Sequence, residues 1–128
     1  MVAVKEKMRK YLTNQEIFDK VAKHLLTQKE KSSRGSSCLY RGSDGLKCAV
    51  GCLIPDEFYV KSIEHEGVKE LFSNFSDLME KSKLKIESER LLLDLQNIHD
   101  DCDIDEWKEL LKFSARDFKL DSKVLDKF

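Results

Sequence analysis

With 128 residues the chain is about one domain, long enough to bury roughly two-thirds of the surface its unfolded form exposes, so folding does not require a disulfide framework. Its 41% hydrophobic and 37% charged residues describe a small core inside a strongly charged, largely helical surface. A net charge of −1 excludes a broad basic field that would recruit nucleic acid or an anionic membrane.

The charge is unevenly spread. Residues 1–31 carry eight Lys/Arg against four Asp/Glu, whereas residues 94–106 carry six acids and no Lys or Arg. Four cysteines, no export leader and no apolar run of about eighteen residues lead to the expectation of a cytoplasmic protein with reduced thiols and no membrane association.

In chain order, residues 1–12 read as a basic lead-in, 13–118 as a single domain and 119–128 as a tail. Thr13 and Glu16 have capping-box spacing, so a helix is expected to start there and run to about Lys29. Ile17, Phe18, Val21, Ala22, Leu25 and Leu26 fall on its one apolar face, with His24 partly buried beside them. Residues 31–37, KSSRGSS, read as a loop. CLYR and LKCAVGCLI, joined through Asp44-Gly45, then read as a β-hairpin whose second strand is covered on both faces.

Pro55 ends that ladder, because it has no N–H to donate. Val68, Leu71, Phe72 and Phe75 predict a short helix after Gly67, and Leu91, Leu95, Ile98 and Cys102 a longer one from about Glu87 to His99. Asp103 and Glu106 repeat the capping spacing before a last helix, from about Ile104 to Asp117. The expected fold is α+β, a small antiparallel sheet centred on the hairpin and covered by several amphipathic helices.

The candidate chemistry sits around the cysteines, the histidines and the acidic run. Cys38, Cys48 and Cys52 invite a zinc reading, with His65, His99 or Cys102 as a fourth ligand. On an extended strand, however, Cys48 and Cys52 stand roughly 13 Å apart, too far for one tetrahedral ion. The cysteines therefore read as small buried hydrophobes, and no metal or other cofactor is expected. Asp101, Asp103 and Asp105 alternate like the start of a calcium loop, but Glu106 replaces the required glycine and Lys112 the bidentate glutamate. His99 and Asp100 are adjacent on a helix, where neighbours do not face each other, so the pair reads as a helix end. Tyr40 and Arg41, near the hairpin tip, suit an anion or a stacked base.

NQEIFDKVAKHLLTQ, CLYRGSDGLKCAVGCLIPDEFY and LLLDLQNIHDDCDIDEW together resemble a group of small bacteriophage and prophage accessory proteins, most specifically in GLKCAVG and LIPDE. That resemblance implies a setting inside a bacterial cytoplasm and carries over no catalytic residue. The expected function is non-catalytic binding of a bacterial host protein, with inhibition of a host or defence factor as one form of it. The binding residues would be Tyr40, Arg41, Asp100, Asp101, Asp103 and Asp105. One alternative is a pocket that sequesters a small anionic ligand such as a signalling nucleotide, using Tyr40, Arg41 and the Ser32–Ser37 loop. The other is a cysteine-dependent enzyme in which His65 or His99 activates Cys48 or Cys52.

Overall fold

The computed structural model describes residues 11–34 and 37–128. Most of the basic lead-in, and Gly35 and Ser36 of the serine-rich loop, lie outside them. The described residues form five α-helices: α1 (Asn14–Gln28), α2 (Val68–Asn74), α3 (Ser76–Lys81), α4 (Glu89–Asp101) and α5 (Trp107–Asp117). Four 3₁₀ turns lie between α1 and α2 and one each before α4 and α5, while only Phe75 separates α2 from α3.

α1 begins where its sequence places it. Thr13 Oγ1 accepts from the Glu16 N–H at 3.1 Å, and the Glu16 carboxylate accepts from the Thr13 N–H at 2.9 Å. Replacing Thr13 with Ala should cost about 1 kcal/mol of stability, read from the urea unfolding midpoint. Ile17, Phe18, Val21, Ala22 and Leu25 are fully buried against α4 and α5, with Leu91, Leu95, Trp107 and Leu111 opposite. The 3₁₀ turn Lys123–Lys127 also packs on α1, burying Leu125, and the Gln15 amide clasps the Asp121 backbone through two hydrogen bonds of 2.8 and 2.9 Å.

The expected α+β fold is corrected: the architecture is helical, and no sheet organises it. Among the described residues backbone strand pairing is limited to two residues a side, β1 (Ser33–Arg34) with β2 (Ser37–Cys38), plus one bridge between Arg41 and Lys47. The turn at Asp44-Gly45 is present, with both residues in the left-handed region (φ 58° and 77°). Beyond Lys47 the chain coils instead of extending. The Cys52 N–H donates to the Cys48 carbonyl at 3.1 Å, and the Leu53 N–H to the Val50 carbonyl at 2.9 Å.

The physical reason lies in where the backbone groups of this buried segment find partners. Gln28 of α1 brackets the Lys47 peptide, accepting from its N–H at 3.1 Å and donating to its carbonyl at 2.9 Å. Gln96 of α4 accepts from the Val50 N–H at 2.9 Å. Helix side chains thus replace the neighbouring strand. The strand-based separation of Cys48 and Cys52 falls with the strand, since four residues in one helical turn lie close together.

Two smaller expectations also change. Asp103 opens a 3₁₀ turn at Ile104–Glu106 through its backbone carbonyl, and its side chain caps nothing. His99 and Asp100 do meet, through a hydrogen bond of 2.6 Å between His99 Nδ1 and Asp100 Oδ1.

Candidate functional site

Three clusters hold the residues that sequence chemistry singles out. The first is Cys38, His99 and Asp100, whose potential ligand atoms all lie within 4.8 Å of one another. It borders a cleft of about 250 Å³ that Tyr40, His65 and Gln96 also line. His99 is fully buried and stacks on Trp107, with ring centroids 5.6 Å apart.

Both ring nitrogens of His99 are already committed. Nε2 accepts from the Ser32 N–H at 2.8 Å, so it carries no proton. Nδ1 then carries the hydrogen and donates to Asp100 Oδ1 at 2.6 Å. Asp100 also accepts from Gln96 Nε2 at 3.0 Å.

This arrangement does not fit a metal. A histidine ligand normally donates its second N–H outward, whereas here a metal on Nδ1 would place an Nε2 hydrogen against the Ser32 N–H. It does not fit a Cys-His nucleophile either, since His99 has no free lone pair for Cys38. Burial first, and then the Asp100 charge, raise the Cys38 thiol above its ordinary pKa. Burial also raises Cys48 and pushes Cys52 up to about 12, so both stay protonated thiols at neutral pH. Cys52 Sγ donates to the Ala49 carbonyl at 3.1 Å. The second expected base, His65, is exposed on the far rim of the first cleft.

The second cluster surrounds Arg41. Its Nη1 donates to Asp56 Oδ1 and its Nη2 to the Ile54 carbonyl, each at 2.6 Å, and the guanidinium lies 4.8 Å above the centre of the Tyr59 ring. Hydrogen bonds from Arg41 and then Lys47 hold the Asp56 carboxyl below its usual range. Glu64 accepts from the Tyr40 N–H at 2.8 Å, the Arg41 N–H at 3.1 Å and the Tyr59 hydroxyl at 2.6 Å. The Tyr40 hydroxyl is turned inward, donating to the Glu66 carbonyl, and burial raises its pKa.

Tyr40 and Arg41 are therefore neighbours in sequence but do not converge on a ligand. From the serine loop, Ser32 adds little to an anion site, because it is buried and its N–H is committed to His99. The cluster works as a staple that holds the turn to the 55–66 segment.

The acidic run divides in two. Asp100 belongs to the His99 cluster, while Asp101, Asp103, Asp105 and Glu106 are exposed and their side chains accept no hydrogen bond or ion pair among the described residues. Of these, Asp105 lines a groove of about 530 Å³ between the end of α1 and the start of α5, together with Lys29 and Lys108. Sequence reasoning missed the groove, although Ile104 and Phe128, the apolar residues left exposed along it, were readable as apolar positions off the helical stripes. It also missed the burial of His99, which continues the Leu92, Leu95 face of α4 at helical spacing.

Comparison of the chain with protein-family models, with curated proteins and with solved structures finds no match.

Proposed function

We propose that the chain is a non-catalytic accessory protein that binds a bacterial protein target. The phage or prophage setting is part of this proposal and is supported by the resemblance of the sequence segments alone. The observation that carries the binding reading is the set of exposed carboxylates without partners, Asp101, Asp103, Asp105 and Glu106, of which Asp105 lines a largely apolar groove. The reactive side chains point the same way, since the thiols are held protonated by burial and His99 is tied at both nitrogens. Both terminal nitrogens of Arg41 are engaged by Asp56 and the Ile54 carbonyl, its guanidinium covers Tyr59 and its Nε is buried, which weighs against the anion-pocket alternative.

Affinity capture from bacterial lysate at about 0.15 M salt, where surface charges still act over about 8 Å, tests the reading. The full chain should retain a specific protein. The Asp101→Lys, Asp103→Lys, Asp105→Lys variant should lose most of it, and Cys38→Ser should retain it fully. Asp100 stays untouched because it supports the buried histidine. Failure of the wild-type chain to retain any specific protein, or equal retention by the charge-reversed variant, would count against the reading.

A further inference from the structure

We infer that the cleft between α1 and residues 45–52 is an anion site for a compact polyphosphate, a ligand with at least two phosphoryl groups. The cleft, of about 510 Å³, is lined by Lys20 and Lys23 of α1 and by Lys47, with no aspartate or glutamate among its lining residues. That volume is in the range of small-molecule sites. The cleft shares no residue with the acidic run, so the inference goes beyond the binding reading and stands or falls without it.

Helical periodicity gathers two of the charges. Lys20, Lys23 and Thr27 follow at intervals of three and four, which puts all three, exposed, on a face of α1 turned away from its buried stripe. Neither lysine makes an ion pair among the described residues. Lys47 joins them because its peptide is tied to α1: its carbonyl accepts from His24 Nε2 at 2.8 Å and Gln28 Nε2 at 2.9 Å, and its N–H donates to Gln28 Oε1 at 3.1 Å. Three lysines thus start from one fixed frame, which lowers the ordering cost of binding. Burial raises the Cys52 thiol on the cleft wall, and the charges of Lys47 and Lys20 both oppose that rise, so the two ammonium groups act on one point.

The acids near the rim leave this charge in place. Asp56 meets Lys47 Nζ at 3.3 Å, but its carboxylate is 79% exposed and is held more closely by Arg41 at 2.6 Å. A pair so exposed yields readily to a stronger ligand. Asp19 accepts from Gln15 Nε2 at 2.9 Å, and Asp44 lies exposed beside Gly45; none of these three acids lines the cleft.

The donor type selects the ligand. Planar carboxylates favour the fork of arginine, which the lining lacks, whereas lysine is a point charge that suits phosphate. Each phosphoryl group carries a charge of about −1.5 to −2, so two of them balance three lysines. Thr27 adds a hydroxyl, and Gly45 leaves its part of the rim open, with nothing within 4 Å of the place a Cβ would take. Nucleic acid would need a basic surface that continues past the cleft, and a net charge of −1 supplies no such field.

Calorimetry of the full chain with inorganic pyrophosphate at about 0.15 M salt tests the inference. One site per chain should bind, and orthophosphate should bind more weakly. The Lys20→Gln, Lys23→Gln variant should lose about tenfold or more in affinity, since each charged hydrogen bond lost weakens the complex. Lys69→Gln, Lys112→Gln removes the same charge from exposed positions on α2 and α5 and should bind like wild type. Amide shifts at Thr27 and Gly45 should mark where pyrophosphate sits. Absence of binding, equal affinity in the Lys20, Lys23 variant and wild type, equal loss in both double variants, or shifts confined to other segments would each overturn the inference. So would a tetraglutamate peptide or a short single-stranded oligonucleotide that binds as tightly as pyrophosphate, because the cleft would then hold negative charge without regard to its chemistry.

Discussion

Gly51→Ala should be among the most damaging single-methyl changes in the protein, costing about 3 kcal/mol or more and lowering the melting temperature by roughly 10 °C. A Cβ built on Gly51 overlaps the Tyr40 carbonyl oxygen, with the Tyr40 C and Cα atoms next at 3.0 and 3.2 Å. All three are backbone atoms, so no side chain can swing aside. Nor is Tyr40 free to move, because its N–H is held by Glu64 at 2.8 Å and its hydroxyl by Glu66. Relief would have to separate the coil at Gly51–Leu53 from the turn that it crosses. Gly45→Ala is the matched control, with open space around its Cβ but a φ of 77°, so its cost should be only about 1 kcal/mol. Urea unfolding of both variants, followed by far-UV circular dichroism and Trp107 emission, decides the point. Equal midpoints for Gly51→Ala and Gly45→Ala would show that the close crossing contributes nothing.

That crossing is also where the sequence was least legible. The amphipathic helices announce themselves, because Ile17 through Leu26 and Leu91 through Ile98 repeat at about 3.6 residues and need only one buried face. The run from Cys48 to Ile54 is apolar throughout and has no period, so β-rich composition and the Asp44-Gly45 turn favour a strand. What decides against it is supplied from far away. Gln28 and Gln96 provide the backbone partners of Lys47 and Val50, across separations of 19 and 46 residues. Their ability to replace a strand neighbour depends on packing, which local pattern does not encode. The same holds for Arg41. Its type suits an anion, but the fold brings Asp56, the Ile54 carbonyl and Tyr59 to it first. The acidic run was legible as a surface, yet its division between a structural Asp100 and free neighbours depends on the direction His99 faces.

The His99 cluster should behave as a structural latch, and substitutions at His99 should separate its ring from its hydrogen bonds. Its Nε2 joins α4 to Ser32, a fully buried residue 67 positions earlier, while its ring face covers Trp107. Ser32 leads directly into β1, and its carbonyl accepts from the Leu39 N–H at 2.8 Å. His99→Ala removes both contributions. It orphans a buried N–H, worth about 1–3 kcal/mol, and opens a cavity against Trp107, so the total should reach about 3–4 kcal/mol. His99→Phe keeps an aromatic ring on Trp107 but offers no acceptor, and should still cost about 2 kcal/mol. His99→Gln can present a carbonyl oxygen to Ser32 and should recover about 1 kcal/mol relative to His99→Ala. Urea midpoints give the ranking, and amide exchange at Ser32 gives the local readout, with protection lost in the Ala and Phe variants and partly kept in Gln. A His99→Phe protein as stable as wild type, with Ser32 still protected, would reduce His99 to an aromatic space-filler. Loss of Ser32 protection in Phe but not in Gln would instead place the latch in the single hydrogen bond between α4 and the residue preceding β1.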